Sequence, residues 1–346
     1  MMTQLKNELT SYEQPPYRFV PVSDIVDQSI EIEWLIEDYL PKRSVGMLYG
    51  PSGAGKSHIV LDMAVKIASG TPWCDKDTEQ GVVLVMAGEG NSGLGRRLKS
   101  ISKHHDVEID EERLFFSERA IGIDTDKGFA ELVSAIESLE VTPDLIIVDT
   151  LSRHLNRSSE NSNEEMANFI DKLVQIKQRY DTSVMIVHHT GKNVNSGSRG
   201  ASSIRANIDF SFELSQFSFE GHKLCEMKVE KQKDASDRLP AICFDIVTVP
   251  LGEMDSKGRE VNGACAQRVG FETVPMASRY EALAIETFDS DKSVWQKNFI
   301  EEVDEISDKP LKPASKTRIF REQVSRLVKS GLVKQLESKR FVKTEP

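Results

Sequence analysis

The stretch Gly50-Pro51-Ser52-Gly53-Ala54-Gly55-Lys56-Ser57 matches the phosphate-binding loop pattern at every fixed position, and the apolar run 45–49 leads directly into it. Glycines let the backbone turn so that its N–H groups converge on phosphates, and a helix starting near Lys56 would direct its positive dipole end to the same place. Lys56 is then expected to reach the β- and γ-phosphate oxygens, and Ser57 to ligate Mg²⁺. A helical apolar pattern follows the loop, which argues against a chance match in a glycine-rich turn. The sequence therefore predicts a site for a nucleoside triphosphate.

Length and composition set the broad class of the protein. A chain of 346 residues accommodates one large α/β domain and a small one, and 39% hydrophobic with 29% charged residues is typical of a soluble globular protein. The first 21 residues lack the basic start and apolar core of a signal peptide, and no apolar run reaches membrane-spanning length. We therefore expect a cytoplasmic protein with no membrane partner. The four cysteines are far apart and form no C-x-x-C pair, which indicates neither a zinc site nor a disulfide framework.

The charge of the chain is unevenly distributed. A net charge of −11 argues against a protein that coats nucleic acid with its whole surface. Residues 309–346, however, hold eleven basic side chains against three acidic ones, a net charge of +8. The chain is therefore acidic as a whole but ends in a basic C-terminal segment.

Strand-like and helix-like runs alternate after the loop. Apolar runs 81–87, 144–149 and 183–188 predict strands, and runs 94–101 and 165–180 predict helices, a rhythm typical of βαβ units with a mainly parallel central sheet. Runs 208–214, 222–229 and 241–249 are predicted to be antiparallel strands that extend this sheet, residues 250–262 an exposed loop, and residues 275–278 a linker. The predicted organisation is an N-terminal arm (1–34), an ATPase-like α/β domain (35–275) and a small C-terminal domain (279–346).

Two acidic residues are candidates for metal binding and for catalysis. Asp149 closes the apolar run 145–148, where a carboxylate can meet the Mg²⁺ held by Ser57 at the carboxyl edge of the sheet. Capping of the next helix is the structural alternative. Glu89, flanked by Gly88 and Gly90, follows the neighbouring strand and is our candidate for polarising the attacking water. An exposed turn glutamate is the alternative for this position.

His188 and His189 come at the end of the apolar run 184–187 and precede a polar loop. A polar side chain at that point could sense the γ-phosphate and transmit its loss to the loop. A satisfied core histidine is the competing interpretation, and a zinc role lacks further ligands nearby in the sequence.

Five segments together resemble the RecA-like ATPases of the plasmid RepA-type hexameric helicase group. They are the phosphate-binding loop, Ala87-Gly88-Glu89-Gly90, Val148-Asp149-Thr150-Leu151, Val187-His188-His189-Thr190 and Ser198-Arg199-Gly200-Ala201-Ser202-Ser203, and the match spans about Leu35 to Val249. The resemblance implies a RecA-like P-loop NTPase core that binds ATP and Mg²⁺ with the whole loop, Gly50 to Ser57, and with Asp149. It also implies Glu89 as catalytic base, one of the two histidines as sensor, and a homo-oligomeric, hexameric ring around single-stranded DNA. The loop 192–203, with Lys192 and Arg199, would then face the DNA channel.

One position departs from that family. The family places an arginine finger shortly after the Arg-Gly-(small)-Ser-Ser segment, but the ungapped count from Arg199 reaches Asp209. Arg205 is a substitute candidate, as are Lys231 and Lys233, which resemble paired lysines that reach a neighbour's ATP in RecA-type filaments. Solvated strand-end charges are an equally good interpretation of each.

The C-terminal residues show three amphipathic helical patterns, around 280–288, 295–303 and 320–328, followed by a possible hairpin at 332–343. Three helices and a basic hairpin predict a winged helix-turn-helix. Lys316, Arg318 and Arg321 would lie on the recognition helix, and Lys339 and Arg340 on the wing. A protein-interaction domain with a solvated basic face is the alternative.

Three functions agree with these patterns. The first is an ATP-driven, ring-forming DNA helicase for replication of a plasmid, phage or other mobile element. The second is a non-processive RecA-like ATPase switch in recombination, repair or regulation. The third is a DNA-binding regulator whose ATPase domain sets its oligomeric state. Fold alone does not separate them, because one ATPase core serves many functions.

Overall fold

The structure is a computed structural model. It describes residues 18–26, 31–88, 93–156, 162–190, 204, 206–219, 222–236, 239–270, 280, 283–284, 287–304, 307, 310–329, 333–337 and 340–343. The chain divides into two compact units. The first comprises residues 1–215, 229–237 and 246–267, and the second comprises residues 216–228, 238–245 and 268–346.

The first described elements of the first unit are a short exposed helix, α1 (Val22–Val26), and a small antiparallel pair, β1 (Trp34–Ile36) and β2 (Leu40–Pro41). Alternating strands and helices follow. The strands are β3 (Val45–Gly50), β4 (Val83–Ala87), β5 (Leu114–Phe116), β6 (Leu145–Asp149) and β7 (Ser183–His189). The helices are α2 (Lys56–Ser69), α3 (Leu94–His105), α4 (Asp126–Glu137) and α5 (Asn163–Tyr180), with a 3₁₀ turn at Leu151–His154.

Four longer strands follow: β8 (Phe210–Phe219), β9 (His222–Gln232), β10 (Ile242–Met254) and β11 (Glu260–Arg268). The strand order of the nine-stranded sheet is β11-β10-β9-β8-β3-β7-β6-β4-β5. The pairs β4/β5, β4/β6, β6/β7 and β3/β7 are parallel, as the alternating pattern predicts. Helices α4 and α5 cover one face of these strands through a core that includes Ile146, Leu173 and Ile186.

Two expectations about the later strands were wrong. Strand β8 was expected to be antiparallel, yet it pairs parallel to β3, with Phe210 opposite Gly46. The antiparallel pattern is seen between β9 and β10. A Cβ on Gly46 would lie 2.2 Å from the Phe210 ring, so glycine lets this ring close over β3.

The segment 250–262 was expected to be a loop, but most of it belongs to β10 and β11. Only a tight turn separates them, where the Asp255 carboxylate accepts from the backbone N–H of Lys257 (2.8 Å) and Arg259 (3.0 Å), and Gly258 has φ +72°. The polar composition reflects strands whose side chains are largely exposed. It does not indicate irregular backbone.

Among the strands and α-helices described between the phosphate-binding loop and β7, two were not predicted. Strand β5 has three residues, too few for a periodic signal. Helix α4 did carry a signal, since Thr125 caps its start by accepting from Gly128 N (3.1 Å) and Leu132, Val133 and Ile136 repeat at helical spacing on its buried side.

The C-terminal part of the second unit contains α6 (Lys292–Glu302), α7 (Pro313–Lys329) and the antiparallel hairpin β12 (Val333–Glu337) and β13 (Arg340–Lys343). Its own core packs Trp295 and Phe299 of α6 against Phe320 of α7 and Phe341 of the hairpin. The indole N–H of Trp295 donates to Ala284 O at 2.7 Å, which ties in the residues before α6. The hairpin lies where the sequence predicts it, and the linker proposed at 275–278 lies outside the described residues.

Candidate nucleotide-binding site

The predicted phosphate-binding loop connects β3 to α2. Gly53 (φ +75°) and Gly55 (φ +95°) adopt left-handed backbone conformations that side chains with a Cβ disfavour. Pro51, Ser52 and Gly53 are exposed to solvent. The loop is therefore an accessible turn that presents the first N–H groups of a fourteen-residue helix.

The start of the loop is fixed by close backbone packing. A Cβ on Gly50 would lie 2.1 Å from Leu214 O on β8, so any other residue would force the strands apart. The N–H of Thr190, which follows β7, donates to Gly50 O at 3.0 Å. The loop is thus anchored on both sides by neighbouring strands.

Lys56 is the central charge of the site. Its side chain is buried, with 3% of the residue exposed, and its ammonium donates to Gly50 O (2.8 Å) and Pro51 O (2.7 Å). Burial lowers the pKa of Lys56 to about 8, while the nearby Asp149 carboxylate acts in the opposite direction. These loop carbonyls are weaker partners than phosphate oxygens would be, so the ammonium is held ready for an anion.

The carboxyl ends of the parallel strands bring the other candidates to the same edge. Gly50 lies opposite His189, Tyr49 opposite His188, and Asp149 opposite both Ala87 and Val187. His188 is buried and His189 is partly exposed. Asp149 is close enough to Lys56 to affect its pKa, which places the predicted metal-associated carboxylate beside the loop that carries Ser57.

The position just before Glu89 is also tied to this edge. Gly88 N donates to Asp149 O at 2.6 Å, and a Cβ on Gly88 would lie 2.4 Å from the Arg153 side chain. Glu89 itself lies outside the described residues, as do Lys192, Arg199, Arg205 and Lys339. Their predicted roles therefore remain predictions.

His154 was not singled out from the sequence, yet it braces this edge. Its ring is completely buried on the 3₁₀ turn after β6, with Nε2 3.1 Å from Met86 O and Nδ1 3.1 Å from Ile121 O. Burial lowers the pKa of His154, although both carbonyl contacts favour its charged form. No sequence signal identifies it, because its partners are 33 and 68 residues away.

The lysines proposed to act on a neighbour lie at the opposite, amino edge of β3. Lys231 donates to Ile208 O at 2.6 Å, and Lys233 lies 3.6 Å from a carboxylate oxygen of Asp209. Asp209, where an arginine finger was sought, accepts from Val45 N at 3.0 Å. A cavity of about 300 Å³ opens here, lined among others by Lys177 and Lys233. The structure therefore does not bring Lys231 and Lys233 together with Lys56 in one chain.

The basic residues of the C-terminal helix differ from one another. Lys316 is 14% exposed and forms an ion pair with Asp304 (2.5 Å), which ties α7 to the end of α6. Arg318, Arg321 and Arg340 are exposed. Arg318 has only a loose contact with Glu322, at 3.9 Å. Among the predicted recognition-helix and wing residues that the structure describes, the three arginines are therefore exposed to a partner and Lys316 is not.

The residues present fit a nucleotide with Mg²⁺, because a glycine cradle, a buried lysine and a strand-end carboxylate converge at one sheet edge. With the mainly parallel strand order, this site defines a RecA-like P-loop ATPase. The chain belongs to the AAA_25 family, described as an AAA domain, whose model matches residues 12–195.

Two solved structures resemble this chain in fold. The flagellar accessory protein FlaH from Methanocaldococcus jannaschii is 15% identical with a TM-score of 0.42, over 66% of this chain and 90% of that one. The KaiC-like protein PH0186 from Pyrococcus horikoshii OT3 is 11% identical with a TM-score of 0.45, over 67% and 93%. No curated protein matches the chain. None of the described helices has both the length and the apolar character needed to cross a membrane.

Proposed function

We propose that the protein is an ATP-driven, ring-forming DNA helicase of the RepA-like kind, which hydrolyses ATP at subunit interfaces and serves replication of a plasmid, phage or other mobile element. The observation that carries this proposal is the separation of the two sets of cations. Lys56 lies at the carboxyl edge of β3. Lys231 donates to Ile208 O, and Ile208 lies two residues before Phe210, which pairs with Gly46 near the amino end of β3. The four residue steps from Gly46 to Gly50 along the strand span roughly 13 Å. Lys231 and Lys233 can therefore serve a phosphate only in a neighbouring subunit.

Within one site, each residue has a distinct task. When ATP binds, the Lys56 ammonium would replace its two carbonyl acceptors with phosphate oxygens. Ser57 and Asp149 would hold the Mg²⁺ that accompanies the nucleotide. Mg²⁺ supplies neutralisation of charge on the phosphate oxygens. Glu89 orients and polarises the attacking water, and one of His188 or His189 responds to loss of the γ-phosphate.

The link from the site to DNA runs through the residues after β7. The Thr190 N–H to Gly50 O bond joins the end of β7 directly to the phosphate-binding loop. A change in the conformation of the phosphate-binding loop on hydrolysis would therefore shift Thr190, which immediately precedes the segment that carries Lys192 and Arg199. We propose that this segment contacts single-stranded DNA in a hexameric ring.

The C-terminal residues are proposed to form a winged helix-turn-helix that docks on duplex DNA. Arg318 and Arg321 are three residues apart on α7, so they share a face, and Arg340 begins the second hairpin strand. Such cations bind phosphates first and position the domain without specifying sequence.

A RecA-like ATPase switch is the second candidate, and the same Thr190 to Gly50 bond favours it equally, because coupling of nucleotide state to a loop requires no translocation. The exposed arginines of α7 favour the third, an ATP-controlled DNA-binding regulator.

Unwinding of labelled forked DNA by the purified protein tests the proposal, with Lys56→Ala as the control for contaminating motors. ATP-dependent strand separation that disappears in the variant is the expected result. Hydrolysis stimulated by single-stranded DNA without strand separation would replace the helicase with the switch.

A duplex-binding assay on the full chain tests the regulator. The helicase proposal expects Arg318→Ala and Arg321→Ala to weaken binding to all duplex sequences alike, each lowering the salt slope by about 1. Tight binding to one duplex sequence, lost in these variants, would favour the regulator.

A further inference from the structure

A cluster of side chains that could ligate a metal lies in the first unit and includes none of the residues assigned to the nucleotide site. His104 and His105 end α3, Cys265 lies on β11, and one potential ligand atom from each lies within 4.8 Å of the others. His105 Nε2 is 3.8 Å from the Cys265 sulfur. Because the cysteine is 160 residues from His105 in sequence, spacing rules for zinc motifs do not detect the group.

The backbone around the cluster is closely packed and therefore holds these residues in place. A Cβ on Gly263 of β11 would lie 1.9 Å from Ser100 Oγ and 2.7 Å from Arg96 O, so the strand passes directly against α3. Lys103 donates to Pro250 O at 2.6 Å, which ties the end of α3 to β10 as well. The two histidines and the cysteine are thus presented by elements already fixed to each other.

A buried carboxylate points into the same place. Asp62 of α2 is 4% exposed, and its Oδ2 accepts from the Trp73 indole N–H at 3.0 Å. Its Oδ1 lies 3.1 Å from His105 Nε2 but without hydrogen-bond geometry, and no other described group bonds to it. A buried carboxylate oxygen left in this way is costly unless a cation or donor satisfies it.

The distances agree with those between ligands of one tetrahedral ion. Zinc bonds of about 2.0–2.1 Å to nitrogen or oxygen and about 2.3 Å to sulfur place tetrahedral neighbours about 3.3 Å apart for N and O, and about 3.6 Å for N and S. The observed separation is 3.8 Å for His105 Nε2 with the Cys265 sulfur, and the potential ligand atoms of the three residues all lie within 4.8 Å of one another. His105 Nε2 also lies 3.2 Å from Ala266 O, a contact that it would give up on binding a metal. Two imidazoles with a thiolate favour zinc over Mg²⁺ or Ca²⁺, which prefer oxygen.

We propose that His104, His105 and Cys265 bind Zn²⁺, with the Asp62 carboxylate beside the fourth position. Binding releases the thiol proton of Cys265 to solvent and leaves the metal's oxidation state unchanged. The ion would join α3 to the edge hairpin β10–β11, and Asp62 beside it lies on α2, the helix that begins at Lys56. The site is structural, and it does not depend on the helicase proposal.

Cobalt substitution tests the site on the full-length protein. Chelator-treated protein is titrated with Co²⁺, and a near-ultraviolet thiolate-to-cobalt band with strong visible bands, saturating at one ion per chain, is the expected result. Zn²⁺ should then displace the colour and raise the melting temperature. Cys265→Ala should abolish the thiolate band, and Asp62→Asn should weaken affinity by about 10- to 100-fold, as a residue outside the direct ligand set does.

Two further variants keep the result interpretable. His104 is exposed, so His104→Asn should fold normally and still lose affinity for both ions. Cys243→Ala removes another buried thiol that lies outside the cluster and should keep the full cobalt spectrum. Absence of a thiolate band in the native protein, or its persistence in Cys265→Ala, would overturn the proposal.

Discussion

The two ends of strand β3 hold lysines in opposite ways. At the carboxyl end, Lys56 is buried, bonds to loop carbonyls, and has a pKa lowered to about 8. At the amino end, the Lys233 side chain is 63% exposed and lies 3.6 Å from the Asp209 carboxylate. Lys56 is thus desolvated and has only neutral hydrogen-bond acceptors from the loop, whereas Lys233 is solvated and already lies near the Asp209 carboxylate.

The difference shows what burial contributes to a binding site. A desolvated ammonium gains strongly when a phosphate replaces neutral carbonyls, because charge–charge interactions strengthen where water is excluded. A surface lysine beside a carboxylate gains little until a partner removes the solvent. The carboxyl edge therefore holds a desolvated cation within one chain, whereas the amino-edge lysines would become desolvated only if a partner, such as the proposed neighbouring subunit, covered them.

The largest expected effect is that of Lys56→Ala. Loss of the buried loop ammonium that we propose reaches the β- and γ-phosphates should reduce kcat for ATP hydrolysis by about 10²–10³-fold, the scale seen when one donor to developing charge is removed. Lys172→Ala is the matched control, because Lys172 is also largely buried but pairs with Asp126 on the surface. Steady-state phosphate release measures both. Unchanged turnover in Lys56→Ala would mean that the loop is not the ATP site.

Next in size is the effect of the amino-edge lysines. Lys231→Ala or Lys233→Ala should reduce turnover at least about tenfold if either cation stabilises phosphoryl charge in a neighbour. Mixing either variant with Lys56→Ala subunits should restore activity, because the Lys56→Ala chain supplies an intact amino edge to a neighbour with an intact loop.

The same mixing experiment includes Lys228→Ala as a variant that should retain full turnover, because Lys228 is a partly exposed lysine of β9 that pairs with Glu226. The experiment is repeated with Arg205→Ala, the other finger candidate. Normal hydrolysis by Lys231→Ala, Lys233→Ala and Arg205→Ala would contradict the proposed intersubunit role. Failure of the mixed subunits to recover activity would contradict it as well.

A smaller effect follows from the pKa of Lys56. Only the ammonium form binds phosphate well, so ATP affinity should be level below pH 8 and fall as pH rises through about 8, approaching tenfold per pH unit. Calorimetric titration between pH 7 and pH 9.5 measures this. Lys56→Arg should show a level profile, because a guanidinium stays charged throughout. Parallel profiles for the two proteins would show that Lys56 does not titrate in this range.

The smallest effect on ATP binding is expected at Asp209. Asp209→Ala removes the acceptor for Val45 N and should lower the free energy of unfolding by about 1–3 kcal/mol, while ATP affinity stays within about twofold. Asp234→Ala, an exposed acid that lines the same cavity, should change the free energy of unfolding by less than about 0.5 kcal/mol. Denaturant titration and ATP binding are measured on each variant. A large loss of ATP affinity in Asp209→Ala would mean that the two edges are coupled within one chain.

Local patterns predicted the parts of the fold that depend on neighbouring residues. The Gly53 and Gly55 positions require left-handed backbone, and the apolar periods on either side of them fix a strand and a helix. Asp149 at the end of an apolar run was predicted for the same reason, since parallel strands end at a common edge.

Long-range contacts account for what was missed. The direction of β8 depends on the close approach of Phe210 to Gly46. The hairpin β10–β11 depends on a turn whose flanking strands have exposed, polar side chains, and this composition is typical of loops. Neither feature produces a periodic pattern of apolar residues in the local sequence.

The sequence by itself determined that this chain is a P-loop ATPase with its loop, helix and strand-end carboxylate in order, because backbone conformation and amphipathic period are properties of adjacent residues. The tertiary structure alone decided that Lys231 and Lys233 lie at the edge opposite Lys56, and that Cys265 meets His105. Those outcomes depend on strand order and on packing between residues far apart in the chain, which no local pattern encodes.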